Sequence, residues 1–252
     1  KGEEVTVITC FPNFPKGKVF KGYKNRLYKK EVIDGITVIR VWSYIAENKG
    51  FIRRILDFNS FAMMSFIFGL FIKTDIIIAT SPQFFTTISA RFLSLFKRKP
   101  WIMEVRDIWP DSIVAVGSIK RSSIIFYFLK KVEVSLYKNA NKIVVVTNNF
   151  YDYLINLDIS KEKIAIVPNG TYGNQSIEEN GAIDLKSKLG LKDKFVISYI
   201  GTHGMAHGLS FILNSITELE RDIHFLFIGD GAQKKELITL SNKLDLNNVT
   251  FL

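Results

Sequence analysis

The strongest constraint on the fold is a regular alternation of short apolar runs with longer segments of helical periodicity. Runs rich in Ile, Val and Phe predict strands at residues 5–9, 36–41, 75–80, 101–105, 142–146, 163–167, 195–200 and 224–228. Helical spacing of apolar residues predicts helices at residues 51–72, 83–95, 122–137, 209–219 and 233–244. Continuous apolar strands are typical of parallel sheets covered on both faces. The pattern therefore predicts an α/β fold with parallel sheets.

Composition excludes several other classes of protein. The chain has 252 residues, of which 47% are hydrophobic and 23% are charged, and it contains one cysteine. These values exclude a disordered chain and a small domain held together by disulfides. Cys10 lies in an apolar run and is predicted to be a buried thiol. Since nothing requires an oxidising compartment, a cytoplasmic location is favoured.

Charge divides the chain into two unlike parts. Residues 1–150 carry 24 Lys and Arg against 11 Asp and Glu, whereas residues 151–252 carry 10 against 13. The net charges are +13 and −3, which together make the +10 of the whole chain. A basic half is typical of a protein that meets a polyanion. Nucleic acid, anionic lipid and diphosphate compounds all fit at this level.

Residues 168–193 interrupt the alternation with a polar, Gly- and Asn-rich stretch, which predicts a boundary between two domains. The chain begins without Met just before a predicted strand and stops inside an apolar run. We therefore expect a piece of a longer protein. No signal peptide opens the sequence. The longest charge-free stretches, residues 58–72 and 76–90, have 15 residues each, fewer than the ~18–20 that a membrane-spanning helix requires.

The most distinctive polar motif follows the predicted strand at 195–200. Residues 201–208 are Gly-Thr-His-Gly-Met-Ala-His-Gly, and an amphipathic helix follows them. Glycines let the backbone approach a ligand closely, and a helix start offers unpaired N–H groups to a phosphate. The motif predicts a phosphate-contacting loop, with a plain tight turn as the alternative. Without Cys or a third His, a zinc site at His203 and His207 is disfavoured.

A second glycine turn, Gly229-Asp230-Gly231, follows the predicted strand at 224–228. Ligands of open α/β sheets lie beyond the carboxyl ends of the strands. Both glycine turns are therefore expected at one crevice. Taken alone, this second motif fits a plain turn equally well.

A charged motif ends another predicted strand in the basic half. Residues 103–111, Met-Glu-Val-Arg-Asp-Ile-Trp-Pro-Asp, place an arginine among carboxylates. Such a cluster can orient a hydroxyl group or bind a diphosphate. The alternative is an Arg–Asp surface pair with Asp111 as a helix cap. The Trp-Pro pair predicts a rigid, shaped loop and favours a functional role.

Basic residues also precede a strongly apolar helix. Residues 49–56 are Lys-Gly-Phe-Ile-Arg-Arg-Ile-Leu and lead into the apolar stretch 58–71. Such a helix suits the surface of an anionic bilayer, and a core helix with a charged first turn is the alternative. Residues 97–99 and Lys130-Lys131 would add to the same basic surface or be solvated helix ends.

In this order, the motifs resemble those of the retaining GT-B glycosyltransferases of family 4, the glycosyl transferases group 1. They are most similar to bacterial L-fucosamine-transferase-like enzymes of O-antigen and capsule synthesis. The residues that carry the resemblance are 11–17 (Phe-Pro-Asn-Phe-Pro-Lys-Gly), 35–42, 104–110, 167–170, 199–209 and 227–231. The Pro-Asn-Phe-Pro and Arg-Asp-Ile-Trp-Pro runs are the most specific of them.

The resemblance implies two Rossmann-like domains, the first without its first strand and the second incomplete. Residues 1–170 would bind the acceptor, 171–193 would link the domains and begin the second, and 194–252 would start the nucleotide-sugar domain. The implied reaction moves a sugar, such as N-acetyl-L-fucosamine, from a UDP-sugar to a polyprenyl-diphosphate-linked saccharide with retention. The protein would act on the inner face of the cytoplasmic membrane, without nucleic acid, metal ion or cofactor.

The resemblance also implies roles for individual residues. The residues assigned to the donor diphosphate are Gly201, Thr202, His203, Gly204, His207 and Gly208. Those on the nucleotide side are Gly229, Asp230 and Gly231. Glu104 and Arg106 would lie on the acceptor side, with Asp107 as the catalytic residue.

Three features depart from the family pattern. His207 stands where the family carries a basic residue, and Arg106-Asp107 stand where many relatives carry a histidine. The family's two glutamates eight positions apart are absent, because no Glu in this chain is followed by another at that spacing. Residues 1–252 alone are therefore expected to be inactive. A UDP-sugar epimerase and a non-catalytic module that binds membranes or anions remain as alternative functions.

Overall fold

A computed structural model describes residues 2–13, 17–45, 51–81, 84–170, 184–217 and 222–252, with side chains omitted at 51 and 52. Contacts between Cα atoms divide the chain into two compact units, residues 1–170 and 171–252. We call them unit 1 and unit 2 and describe each by itself. None of the helices within the described ranges has the length and apolar character needed to cross a bilayer.

Unit 1 contains two sheets. The first has the order β1-β3-β2, in which β1 pairs with β3 in parallel and β2 pairs with β3 antiparallel. The second has the order β4-β5-β6-β7 and is parallel throughout. The strands are β1 (Thr6–Cys10), β2 (Tyr28–Ile33), β3 (Ile36–Val41), β4 (Ile77–Thr80), β5 (Trp101–Val105), β6 (Lys142–Val145) and β7 (Ile164–Ile166).

Helices cover these sheets because their apolar faces pack on the strands. They are α1 (Phe51–Leu70), α2 (Phe84–Lys97), α3 (Asp111–Ala115), α4 (Ile124–Asn139) and α5 (Asn148–Ile155). The core of the second sheet centres on Trp101, whose side chain is fully buried and whose indole N–H donates to the Asn139 carbonyl at 3.1 Å. The first sheet packs Ile39 and Val41 against Met64 of α1.

Unit 2 is smaller and has one parallel sheet in the order β10-β9-β8. Its elements are α6 (Leu185–Lys188), β8 (Phe195–Ile200), α7 (Leu209–Ile216), β9 (Ile223–Ile228), α8 (Lys234–Lys243) and β10 (Val249–Phe251). Leu209 and Leu213 of α7 pack with Phe225 and Phe227 of β9 in a common core. A parallel sheet with crossover helices is the arrangement that the alternating pattern predicts.

The predicted strands at 36–41, 101–105 and 195–200 are confirmed at the same bounds, and the other predicted strands shift by one or two residues at their ends. Strand β2 was not predicted because its Lys- and Glu-containing sequence hides its strand character. Asp34 and Gly35 form the turn between β2 and β3 with φ of 50° and 80°, and Asp-Gly is a known hairpin signal. Strand β10 and helices α3 and α5 were also missed.

Several sequence predictions fall on undescribed residues. Gln83 and residues 218–219, at the ends of two predicted helices, lie outside the described residues. So do Lys49 and Gly50 of the basic segment, residues 14 and 15 of the Pro-Asn-Phe-Pro motif with Lys16 after it, and half of the predicted boundary at 168–193.

Candidate functional site

The two glycine turns of unit 2 lie side by side, because β8 and β9 are neighbouring parallel strands that end at the same edge. The Gly201 N–H donates to the Ile228 carbonyl at 2.9 Å, and the His203 N–H donates to the Asp230 carbonyl at 3.0 Å. The Gln233 N–H, after the second turn, donates to the His203 carbonyl at 3.0 Å. The two turns therefore form one hydrogen-bonded structure at this edge, as the sheet topology predicted.

Close backbone packing explains two of the glycines. A Cβ atom at Gly229 would lie 1.9 Å from the Gly201 carbonyl oxygen, and Gly229 has φ of +148°. A Cβ atom at Gly231 would lie 2.4 Å from the His203 carbonyl oxygen. Side chains at these two positions would separate the turns, so glycine is needed here to bring the backbones together.

The His203 side chain is fully buried among the rings of Tyr199, Phe227 and Phe251, with ring centroids 6.0–6.4 Å away. Neither ring nitrogen has a hydrogen-bond partner among the described residues. Burial lowers the pKa of His203, nearby Lys234 and His207 lower it further, and Asp230 acts in the opposite direction. The ring is therefore neutral at pH 7. Because the His203 ring is enclosed, it would contribute to a ligand site by holding the shape of the first turn.

The rest of the first turn is open to solvent. Thr202, His207 and Gly208 are exposed, and Gly208 adopts the left-handed conformation with φ of +61° directly before α7. No side chain caps the start of α7. Unpaired N–H groups and the positive end of the helix dipole favour an anion at such a position. Exposure and helix polarity together give this turn the chemistry of a phosphate site.

Lys234 is a candidate residue that sequence reasoning missed. Its Nζ donates to the Gly229 carbonyl at 2.8 Å and to the Leu252 carbonyl at 2.9 Å. The ammonium group thereby braces the second turn and adds positive charge at the edge where both turns lie. A lysine three residues after Gly231 was the available signal. Asp230 is exposed, and its carboxylate accepts the Gly231 N–H at 2.8 Å.

In unit 1 the charged motif at residues 103–111 continues beyond the end of β5, and the Pro-Asn-Gly run at 168–170 contacts it. Glu104 is half-buried within the strand, whereas Arg106 and Asp107 are exposed beyond its end. Arg106 Nη2 donates to Asn169 Oδ1 at 3.0 Å, which joins the Arg-Asp-Ile-Trp-Pro run to the Pro-Asn-Gly run. Partial burial raises the pKa of the Asp107 carboxyl, and neighbouring Arg106 opposes that shift. The Asp107 carboxylate accepts no hydrogen bond from any described residue.

Asp111 does not cap a helix. Pro110 is the N-cap of α3, and Asp111 lies in the first turn. The Asp111 carboxylate binds Arg121 at 2.6 Å and Lys130 at 2.8 Å. Burial acts to raise the pKa of Asp111, but Lys130, Tyr153 and Arg121 outweigh it, so that pKa is lowered. The Arg–Asp surface pair considered from the sequence is not found within the motif among the described residues, because Arg106 binds Asn169 and the arginine that pairs with Asp111 is Arg121.

Behind Asp111 lies a polar cluster that we call the Glu133 network, which consists of Asp111, Lys130, Glu133, Tyr137 and Tyr153. Glu133 is fully buried, binds Lys130 Nζ at 2.9 Å, and accepts hydrogen bonds from Tyr137 and Tyr153 at 2.9 and 3.0 Å. Tyr153 also donates to Asp111 at 3.2 Å. Burial raises the pKa of Glu133 despite these partners. The network anchors the loop that carries Arg106 and Asp107.

Aromatic packing holds the same loop from the other side. The Trp109 ring stacks on Phe84, with centroids 5.8 Å apart, and meets Phe58 and Phe85 edge-on at 6.4 Å. The ring of the Trp-Pro pair is thus packed against α1 and α2, and the rigidity expected for this loop stays a prediction. Over the described ranges, no three His, Cys, Asp or Glu side chains are grouped closely enough to hold a metal ion.

Parallel strands with glycine turns at one carboxyl edge are typical of open α/β proteins, and solved structures with the GT-B fold share the fold of this chain. Residues 1–170 match the glycosyl transferase 4-like domain, and the chain belongs to that family. The family resemblance found in the sequence is confirmed.

Two relatives carry similar sequences. The chain is 25% identical over 261 residues to WcaI of Escherichia coli (strain K12), whose name assigns it to glycosyl transfer in colanic acid biosynthesis. That match covers all of this chain and 64% of WcaI. WbjE of Pseudomonas aeruginosa, named as a glycosyltransferase, is 24% identical over 137 residues, which cover 52% of this chain and 34% of WbjE. The chain thus spans less than two thirds of either relative.

Two solved structures show the shared fold. Sucrose-phosphate synthase of Thermosynechococcus elongatus aligns over 100% of this chain and 60% of its own, with a TM-score of 0.68 and 15% identity. HepE of Anabaena, solved with UDP-glucose, aligns over 86% of this chain and 56% of its own, with a TM-score of 0.60 and 16% identity.

Proposed function

We propose that this chain is the acceptor-binding part and the first donor-binding part of a glycosyltransferase. The enzyme would move a sugar from a UDP-sugar to a lipid-linked saccharide in bacterial surface polysaccharide synthesis. The observation that carries this proposal is the pair of hydrogen-bonded glycine turns at the carboxyl edge of β8 and β9, beside the uncapped start of α7. Family membership, the names of WcaI and WbjE, and the UDP-glucose bound to HepE support it.

Donor binding would use the exposed backbone of the first turn. The N–H groups of Gly201, His203, Gly204 and His207 already donate to carbonyl groups in or beside the two turns. The remaining N–H groups of this turn, those of Thr202 and Gly208 among them, and the start of α7 would meet the diphosphate, with Thr202 and His207 as exposed side chains beside it. Charge develops on the diphosphate as its bond to the sugar breaks, so donors fixed in advance at this point lower the barrier. Gly229, Asp230 and Gly231 would lie on the nucleotide side.

The proposed transfer retains the anomeric configuration. The bond between sugar C1 and the diphosphate oxygen breaks, and the acceptor hydroxyl oxygen forms the new bond to C1 on the same face. The hydroxyl proton passes to the leaving diphosphate, and the proposed transfer proceeds without a metal ion or other cofactor. Glu104, Arg106 and Asp107 would orient the acceptor, with Asp107, whose carboxylate is exposed and accepts no hydrogen bond, as the residue in contact with the reacting hydroxyl.

We expect UDP to protect unit 2 against thermal unfolding, because only the folded turns would bind it. The measurement is a melting curve of this chain with and without 1 mM UDP, followed by UDP release from UDP-sugars with a lipid-diphosphate acceptor. We expect transfer from a longer protein that contains the family's glutamate pair, and none from residues 1–252 alone. Inorganic phosphate at equal ionic strength is the control. Absence of both UDP protection and UDP release would sink the proposal.

The proposal includes a site on an anionic membrane surface, formed by the outer faces of α1 and α2. Large apolar side chains are exposed along both helices: Leu56, Met63, Ile67, Phe92, Leu95 and Phe96. Phe66 joins the two faces, with its ring 6.4 Å from Phe92 and 5.6 Å from Phe96. Arg53, Arg54 and Arg98 are exposed at the ends of these helices. Apolar side chains with basic residues around them complement an anionic bilayer.

The core interpretation of the basic helix is confirmed for one face of α1, and the membrane interpretation stays a prediction for its opposite face. Met64 is part of the core below the first sheet, and Ser65 is also buried. The opposite face is apolar as well, although it is exposed. Of the two lysines that were expected to add to this surface, Lys130 instead turns inward to Asp111 and Glu133, whereas Lys131 is exposed.

Replacing Phe96 with serine is expected to weaken binding to phosphatidylglycerol vesicles tenfold or more, because burial of one large apolar side chain is worth ~1.5–3 kcal/mol and each ~1.4 kcal/mol is a factor of ten. Phe195→Ser is the matched control, since Phe195 is 68% exposed in unit 2 and Phe96 is 70% exposed. The measurement is co-sedimentation with vesicles at rising salt. Equal losses in the two variants would contradict a membrane site on α1 and α2.

A further inference from the structure

A basic cavity lies in unit 1 where β1 ends, β3 ends and β2 begins. It has a volume of about 190 Å³ and is lined by Phe11, Gly22, Tyr23, Lys24, Arg26 and Lys29. We propose that this cavity, which we call the Tyr23 pocket, binds the diphosphate group of the acceptor. The identity of that ligand rests on the proposed function, whereas binding of a diphosphate as such does not.

Charge is the first argument for an anionic ligand. Residues 17–30 contain Lys18, Lys21, Lys24, Arg26, Lys29 and Lys30 and no acidic residue. Glu31 pairs with Lys29 at 2.6 Å and with Arg40. In the described part of the chain no carboxylate pairs with Lys24 or Arg26. Two cations on the pocket wall therefore have their charge uncompensated, and an anion that enters the pocket would neutralise them.

The pocket wall is ordered by packing, although it is a loop. Phe11 is 1% exposed and forms the floor, and the Tyr23 ring meets it edge-on with centroids 6.5 Å apart. Lys29 Nζ lies 4.8 Å and Arg40 Cζ 5.0 Å from the Tyr23 ring centroid, within range of cation–π attraction. These contacts fix Tyr23 between the floor and two cations, which also keeps Lys29 at the rim.

Backbone hydrogen bonds tie the loop to the ends of the strands. The Phe20 N–H donates to the Pro12 carbonyl at 2.9 Å, and the Tyr23 N–H donates to the Phe20 carbonyl at 3.0 Å. The Asn25 side-chain amide donates to the Ser43 carbonyl at 2.8 Å. Because the loop is already held in place, binding does not have to order it, and less of the interaction energy is lost.

The number and type of cations favour a diphosphate over a single carboxylate. Arginine binds phosphate oxygens in a bidentate manner, and lysines supply point charges beside it. The two uncompensated cations, Lys24 and Arg26, with the paired Lys29 beside them, match the several oxygens and multiple charges of a diphosphate. The pocket also lies at the carboxyl end of β1 and β3, the edge at which open α/β sheets bind their ligands.

The test measures binding of inorganic pyrophosphate to this chain by equilibrium dialysis at low salt. The double variant Lys24→Gln, Arg26→Gln is expected to lose at least tenfold in affinity. The matched control is Lys30→Gln, Lys73→Gln, which removes the same charge from exposed positions outside the pocket and is expected to stay within twofold of the parent. Thermal melts of both variants verify that they fold. Equal losses in both variants, or no loss in the first, would overturn the proposal.

A second arm distinguishes the source of the phosphate. Phosphatidylcholine vesicles that carry farnesyl diphosphate are compared with vesicles of equal surface charge made with phosphatidylglycerol. We expect tighter binding to the diphosphate vesicles, and we expect the pocket variant to lose that preference. Equal binding to both vesicles would mean general attraction to a phospholipid surface and would overturn the proposal. UDP protection of unit 2 is measured separately, so failure of the pocket and failure of the proposed function are distinct results.

Discussion

Alanine at position 229 is expected to destabilise unit 2 by about 3 kcal/mol or more, the range of the most damaging single substitutions. The new Cβ would lie 1.9 Å from the Gly201 carbonyl oxygen, and the neighbouring atom is backbone that cannot rotate away. A φ of +148° is also one that only glycine adopts readily. The two turns would have to separate, which breaks the hydrogen bonds that join them.

The measurement is denaturant unfolding combined with hydrogen exchange, which reports the strands of unit 2 separately from those of unit 1. Gly204→Ala is the matched control in the same loop, because its Cβ would meet nothing closer than His207 Nδ1 at 3.4 Å. That variant is expected to change the free energy of unfolding by less than about 1 kcal/mol. A Gly229→Ala protein with parental protection in β8 and β9 would show that the turns are not packed as described.

Methionine at position 130 is expected to destabilise unit 1 by about 3 kcal/mol at pH 7.5. Removing one partner of a buried ion pair leaves an uncompensated buried charge. The free energy lost in this way exceeds the net stability that the intact pair contributes. Lys130 Nζ lies 2.9 Å from the buried Glu133 carboxylate and 2.8 Å from Asp111. Without it, Glu133 keeps only hydrogen bonds from Tyr137 and Tyr153. Lys131→Met, at the exposed neighbouring position, is the control and should change little.

The destabilisation caused by Lys130→Met should shrink as the pH falls from 7.5 to 5. Burial already raises the pKa of Glu133 in the folded protein above its unfolded value. A raised folded pKa means that the folded state binds a proton more readily, so stability decreases as the pH rises through that range. Loss of the Lys130 charge raises the folded pKa further and enlarges the effect.

Urea unfolding at the two pH values tests this expectation. The double variant Lys130→Met, Glu133→Gln should be more stable at pH 7.5 than Lys130→Met alone, because it removes the buried charge and keeps a group that can bond to the tyrosines. Its stability should also depend less on pH. If the Lys130→Met penalty is the same at both pH values, Glu133 is not the group that titrates.

Much of the fold and part of the candidate site could be predicted from local sequence. The strands at 36–41, 101–105 and 195–200 are continuous apolar runs, and such runs are stable as buried parallel strands whatever lies far away. The two glycine turns were expected together because neighbouring parallel strands end at one edge. Strand β2 was missed because its charged residues mask the apolar pattern of a strand. In the folded chain its lysines lie in solvent, and Glu31 binds Arg40, which is nine residues further along the chain.

Contacts between distant residues could not be predicted in the same way. His203 was assigned to the donor diphosphate because of its neighbours in the motif, whereas its ring lies in a core formed with Phe227 and Phe251. Asp111 was considered as a cap, but it binds Lys130 and Tyr153, which are 19 and 42 residues further along the chain. The Tyr23 pocket forms only because the loop that carries Tyr23 folds back onto Phe11.

The sequence by itself determined the α/β class and the family, and it placed the two glycine turns at the ends of neighbouring strands. The class follows from periodicity and the turns from glycines at strand ends, both of which act locally, whereas the family follows from the resemblance of the ordered motifs. Only the tertiary structure decided which charged groups are buried and paired and which remain open to a ligand. Burial and pairing depend on side chains that the folded chain brings together across tens of residues. Local sequence patterns do not predict such contacts.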